Sequence, residues 1–237
     1  MPFEQKDNIQ KNFRARILPA RNPSNEERSD YIQAYKLWYG VWSEVWKEQA
    51  NVDSLTSDDF YKQDYVYAIF HEDTCVALTL GTIVDLSLPV AKNLYYMSKI
   101  WTSDTHQKMH EYGTKIFLSS HITTHPEWRQ KGRSISLKDI VVLFALQSYK
   151  HSNADLLLGA MRNNKNVQSL AYKYGAIPIK TIFQKEIQLE VDLIFSTRKS
   201  LEGVFDNEWG RLVIDLWNNC LDANKYHSNT EKLNQVA

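Results

Sequence analysis

The segment His125-Pro126-Glu127-Trp128-Arg129-Gln130-Lys131-Gly132-Arg133-Ser134 links an apolar, strand-like stretch directly to an amphipathic, helix-like one. A helix start leaves backbone amides unpaired and carries the positive end of the helix dipole, so a tight loop there can hold phosphate oxygens. Gly132 lets the backbone approach a pyrophosphate, and Arg129, Lys131 and Arg133 add positive charge. From composition alone, a solvated basic turn is the competing reading.

His121 and His125 lie just before this loop. Side chains four apart on a regular strand share a face, so both histidines point one way unless a bulge or an early strand end separates them. Histidine suits proton transfer, and His121, further inside the strand, ranks first for that task. A hydrogen-bonded structural histidine is the alternative, and Glu127 reads as a loop carboxylate. Asp58-Asp59 could bind an amine or simply cap a turn. His106 and His110 could share a helix face, but no third ligand stands at a recognised spacing, so no metal site is expected. The sequence has no Gly-x-Ser-x-Gly elbow, Walker loop, His-Glu-x-x-His or Gly-x-Gly-x-x-Gly.

The segments after the loop carry more information than the loop itself. Arg129-x-x-Gly132-x-Ser134 and a helix precede the strand Leu156-Leu157-Leu158-Gly159-Ala160, then Asn164-x-x-Val167-x-x-Leu170 and Tyr174-Gly175-Ala176. In that order these segments resemble the GNAT superfamily of acyl-CoA N-acyltransferases, clearly from His121 to Pro178 and more loosely from Tyr31 to Val84. The resemblance implies that amides of Arg129, Gln130, Lys131, Gly132, Arg133 and Ser134 bind the CoA pyrophosphate, with Asn164 near the pantetheine or phosphate arm. It also implies direct attack of an amine on the thioester in a ternary complex, with acetyl-CoA or another acyl-CoA as cosubstrate.

Three positions depart from the family pattern. The family's frequent general-acid tyrosine falls at Ala171; Tyr172 is adjacent, but one residue rotates a helical side chain by about 100°. Tyr172 or Tyr174 as general acid is therefore set against plain core packing. Ser134 stands where Gly or Ala is usual, and Gly175 is followed by Ala176 rather than an aromatic residue. The stretch Tyr35 to Trp42 is also similar to the long first helix of acyl-homoserine-lactone and N-acyl amino acid synthases, which often take acyl chains from acyl carrier protein. Trp38, Trp42 and Trp46 would then edge an acyl tunnel; otherwise they are core.

The elements that must hold these residues read as an α/β (α+β) fold with a central mixed sheet. Phe13 to Leu18 is an opening strand, and Ser24-x-x-Glu27 is a capping box before a long helix whose apolar face runs from Tyr31 to Trp46. Tyr65 to Phe70 and Cys75 to Val84 form a hairpin through His71-Glu72-Asp73-Thr74, and an aromatic-rich helical region covers Val90 to Tyr112. Lys115 to Thr124 is a strand, Ile135 to about Tyr149 a helix, Leu156 to Met161 a buried strand, and Asn164 to Tyr174 a helix stopped by Gly175. Ile187 to Phe195 alternates as a half-buried strand. Trp209 to Cys220 is a final amphipathic helix, capped by Asp206 or Asn207, that docks on its own domain or forms a dimer contact.

The 237 residues carry 28 Lys plus Arg and 28 Asp plus Glu, so no global field draws nucleic acid or an anionic membrane. No apolar run approaches the roughly 20 residues that cross a bilayer, which points to the cytoplasm. Cys75 and Cys220, far apart, suit buried reduced thiols. We expect one domain over residues 1–223 and a polar tail over 224–237.

Overall fold

A computed structural model describes residues 12–50, 55–129, 135–164, 166–185 and 188–220. Seven strands form one mixed sheet: β1 (Phe13–Pro19), β2 (Tyr65–His71), β3 (Thr74–Asp85), β4 (Lys115–Thr124), β5 (Leu156–Arg162), β6 (Ile177–Gln184) and β7 (Leu189–Ser196). Their spatial order is β1-β2-β3-β4-β5-β7-β6, and every neighbouring pair is antiparallel except β4 with β5. That parallel pair needs a crossover, which α6 (Leu137–Lys150) supplies.

Helices cover both faces. On one lies α1 (Arg28–Ala50), whose Ala34, Leu37, Trp38 and Val41 meet Leu18, Val66, Ala68, Leu78 and Leu80 of the first three strands, with Phe60 of the short α2 (Asp58–Tyr61) beneath. The capping box forms in full: the Ser24 amide donates to Glu27 Oε2 at 2.8 Å and the Glu27 amide to Ser24 Oγ at 3.3 Å. Asp30 accepts from Arg14 and Arg16 at 2.6–2.8 Å, which fastens the helix start to β1. The same face of β4, β5 and β7 is covered by three short helices, α3 (Pro89–Lys92), α4 (Tyr95–Lys99) and α5 (Ser103–His110), through Met97, Trp101 and Met109.

The opposite face carries α6 and, outside it, α8 (Glu208–Asn218). α6 is buried almost all round because the sheet lies on one side of it and α8 on the other: Ile140 and Phe144 share a core with Phe117 and Leu157, and with Leu212, Val213 and Trp217. The α8 start is capped by Asn207, whose Oδ1 accepts from the Gly210 amide at 3.1 Å. α7 (Val167–Lys173) packs on β5 and β7 through Ala171, Met161 and Ile194, and its Lys173 bonds Asp139 of α6. Gly175, at φ 78°, ends α7, and a Cβ there would stand 2.2 Å from the Ser200 carbonyl oxygen. The Ala176 and Gly175 amides donate back to the Ala171 and Tyr172 carbonyls, so the last turn closes on itself.

Three elements differ from the sequence reading. β6 is an additional strand: a register shift between Pro178 and Lys180 breaks the alternation of Ile177, Ile179 and Ile182, and as an edge strand it leaves Ile177 and Phe183 exposed. β7 is buried on both faces from Val191 to Ser196 rather than on one, because helices lie above and below it. The helical region from Val90 to Tyr112 is three short helices. The expected tail, residues 224–237, lies outside the described residues. No described helix is long and apolar enough to cross a membrane.

Candidate active site

The site is built on an irregularity in β4. Leu80 pairs with Ser120 and Leu78 with Thr123, so Thr79 alone faces both His121 and Ile122. The extra residue is accommodated at His121, whose φ of 54° lies in the left-handed region that costs an ordinary residue about 1–2 kcal/mol. Its effect is directional. Regular alternation from Ser119 would turn His121 toward α6; the bulge places it against α1 instead, while Ile122 joins the α6 side.

Around His121 the surroundings are aromatic. Its ring meets Trp42 edge-on at 4.5 Å and Trp38 at 5.9 Å, and Nδ1 lies 3.1 Å from Ser120 Oγ. Thr123 Oγ1 donates to the His121 carbonyl at 2.6 Å and accepts from the Trp42 indole N–H at 2.9 Å. Burial pulls the imidazole down to about 4; Asp59 opposes this and Arg162 adds to it. His121 is therefore neutral near pH 7. His125 does not share its surroundings, since β4 ends at Thr124; its amide donates to the Val76 carbonyl at 2.8 Å.

Next to the bulge the sheet opens. β4 and β5 pair only over Ile116–Leu118 and Leu156–Leu158; beyond that each strand is paired only with its outer neighbour. On the α6 side the gap adjoins an apolar cavity of about 20 Å³ lined by Ile122, Val142, Leu146, Met161, Ala171 and Ile194 among others. On the α1 side stands Arg162 at the end of β5, its guanidinium 5.4 Å from the Trp42 ring and bonded to Gln49 Oε1 at 3.0 Å.

Neither candidate tyrosine reaches that cavity. Tyr172 donates to Asp192 Oδ2 at 2.6 Å, and Asp192 also accepts from Thr181 and Asn163. Burial and then the Asp192 charge push the Tyr172 phenol up to about 12. Tyr174 donates to Asp139 Oδ1 at 2.5 Å, beside Lys173 at 2.6 Å. Ala171, where the sequence resemblance would put a general-acid tyrosine, does line the cavity. A tyrosine that the sequence did not single out, Tyr96 of α4, packs near Ala160 of the open part of β5. Burial pushes its phenol up to about 12, against the pull of Trp101 and the Ala160 amide.

Arg129 ends a 3₁₀ turn, Pro126–Arg129, and its guanidinium bonds the Thr124 carbonyl at 2.7 and 3.0 Å. Trp128 anchors the turn between Phe13 and His71. Gln130, Lys131, Gly132, Arg133 and Ser134 lie outside the described residues, and α6 begins at Leu137, where among the described residues no side chain caps its amides. Asn164 is exposed in the turn after β5. Of the three tryptophans, Trp38 is fully buried core, whereas Trp42 touches both His121 and Arg162. His106 and His110 line a separate cavity of about 290 Å³ with Lys92 and Gln107, and no group of three metal-ligating side chains converges among the described residues.

No protein-family model and no curated protein sequence matches the chain. Solved structures do. An agmatine N-acetyltransferase superposes over 78% of this chain and 99% of its own at 11% identity, with a TM-score of 0.57. The polyamine N-acetyltransferase of Drosophila melanogaster covers the same shares at 12% identity and a TM-score of 0.54. A CoA-dependent acyl-homoserine lactone synthase, solved with SAM and isopentyl-CoA, covers 84% of this chain and 89% of its own at 13% identity and 0.52. The fold is that of the GNAT acyltransferases. Within the GNAT fold, the bulge at His121 and the parting of β4 from β5 are what make an opening in an otherwise continuous sheet.

Proposed function

We propose that the protein is an acyl-CoA-dependent N-acyltransferase, acetyl-CoA being the first donor to test, and that the amine attacks directly in a ternary complex. The observation that carries this reading is the gap between β4 and β5. Backbone groups along a parted strand edge need partners, and a pantetheine arm, with its two amides, can bond there as an added strand does. The uncapped start of α6 and the basic segment Arg129, Gln130, Lys131, Gly132, Arg133 and Ser134 suit the pyrophosphate, with Asn164 beside the arm. A cavity of about 20 Å³ has room for about one small group, which favours a short acyl chain.

The amine lone pair attacks the thioester carbonyl carbon, and the carbonyl electrons move to oxygen as the C–N bond forms. Collapse breaks the C–S bond; nitrogen gives up a proton and the thiolate takes one. His121, neutral and desolvated, is too weak a base to deprotonate a free ammonium, so the acceptor must arrive neutral. As C–N bonding makes the nitrogen more acidic, His121 becomes a competent proton acceptor. Proton return by Tyr172 would require release from Asp192; Tyr96, beside the open part of β5, is the better-placed acid. Cys75 and Cys220, buried and outside any disulfide, suit the reducing cytosol, where acyl-CoA is available.

The test is to incubate the protein with acetyl- and longer acyl-CoAs, acyl carrier protein and a pooled amine library, following thiol release and product mass. Thiol release with an acylated amine is expected from acetyl-CoA. Turnover confined to acyl carrier protein would replace the donor, and CoA binding without thiol release would make this a binding protein. In Gly132→Glu, unchanged acetyl-CoA affinity by calorimetry would reject the loop as the pyrophosphate site.

A further inference from the structure

We infer that Arg162 anchors a carboxylate on the acceptor, so that the amine substrate is an amino acid or a similarly acidic amine. The place of this site in turnover rests on the acyltransferase reading; its ability to bind carboxylate does not.

Arg162 differs from Arg14, Arg16 and Arg198 in how its charge is met. Arg14 and Arg16 share the Asp30 carboxylate, and Arg198 bonds three backbone carbonyls, those of Lys150, Ser152 and Ala154. Arg162 is half-buried, yet among the described residues it bonds the neutral amide oxygen of Gln49 and lies over the Trp42 ring, and no carboxylate pairs with it there. A guanidinium has five N–H donors in a planar fork that matches a carboxylate two bonds at a time. Taking such a cation out of water is costly unless an anion joins it. The nearby Arg129 charge acts on Arg162 in the same sense, disfavouring its cationic form, which increases the demand for an anion.

The position is as informative as the charge. Trp42 carries His121 on one contact and Arg162 on another, so the two are one indole apart on the α1 side of the gap. A carboxylate held by Arg162 therefore lies within about an indole's width of His121. In an α-amino acid the amine sits on the carbon next to the carboxylate, which brings the nucleophilic nitrogen to the proton acceptor. A polycationic amine at the same place would meet Arg162 with like charge.

Ligand-observed NMR with pooled N-acetyl amino acids, which mimic product, and with the matching N-acetyl amino acid amides tests the site on the wild-type protein without any substitution. The acids are expected to bind at least tenfold more tightly than the amides. Arg162→Gln should abolish that preference and Arg162→Lys should restore part of it, with acetyl-CoA affinity by calorimetry unchanged in both. Equal binding of acids and amides, absence of binding by either, or a preference that survives Arg162→Gln in a folded variant would overturn the proposal. A parallel loss of acetyl-CoA affinity in Arg162→Gln would also overturn it, since the anion would then be a donor phosphate. Binding of the acids with no thiol release from any acyl thioester would leave the carboxylate site standing and remove the acyltransferase reading.

Discussion

The imidazole of His121 and the indole of Trp42 meet at 4.5 Å and 71°, and the same indole donates its N–H to Thr123 two residues further along β4. One helical side chain therefore holds the bulge at its odd residue and again two residues further on. Packing and a hydrogen bond from α1 offset the backbone cost of the left-handed conformation, and the imidazole is desolvated in the process.

That desolvation sets a pH dependence. His121 has a folded value near 4, below the usual 6.5, so between these values the unfolded chain binds more protons than the folded one. Its contribution to stability is fully present above about pH 6.5 and is lost as pH falls toward 4. Urea midpoints measured across that window should fall more steeply for the wild type than for His121→Gln; parallel curves would mean that the imidazole titrates normally.

Filling the cavity beside the gap should separate binding from folding. Ala171→Leu puts three more carbons into a space of about 20 Å³. Overpacking of this kind costs about 1–3 kcal/mol, which lowers Tm by several degrees. Acetyl-CoA affinity, read by calorimetry, should drop at least about tenfold, or 1.4 kcal/mol. A folded variant with wild-type affinity would place the thioester elsewhere.

The two tyrosines make opposite predictions. Tyr96→Phe is expected to lower kcat at least about tenfold with little change in KM, as loss of a transition-state proton donor does. Tyr172→Phe should leave kcat within about twofold and reveal itself in stability, because it removes a donor from buried Asp192 at a cost of about 1–3 kcal/mol. The reverse ranking in a steady-state assay would return the acid role to Tyr172.

Asp139, in the first turn of α6, is buried and accepts from Ser136, Lys173 and Tyr174. Burial alone would raise its pKa, but these three partners outweigh burial and hold the carboxyl below its usual range. Asp139→Asn should cost about 2 kcal/mol, since Lys173 is half exposed and the ion pair is partly screened. The loss should shrink as pH falls through the carboxylate range, because the wild type then loses the same interaction. A pH-independent difference in thermal melts would contradict this.

Local signals were legible in the amino-acid sequence. The Ser24–Glu27 box, the Glu72-Asp73 hairpin, the bounds of β4, the Gly175 stop and the Asn207 cap each depend on residues a few positions apart. What escaped depends on distant partners. Nothing within Ser119-Ser120-His121-Ile122 announces a bulge, because the extra residue exists only relative to Thr79 on β3. The roles of Trp42 and Arg162 arise where α1 crosses the end of β5, 120 positions apart in the chain, and Tyr172 could not be assigned until Asp192 was seen opposite it.

The bulge also makes fold and site separable by a single codon. Deleting one residue at position 121 would let β3 and β4 run in unbroken register from Leu80–Ser120 onward, with every strand still present. The imidazole that meets Arg162 across the Trp42 indole would go with it, yet the sheet would lose none of its neighbours. On the proposed mechanism, the chain lacking residue 121 is therefore expected to melt as a folded protein and to release no thiol from acetyl-CoA.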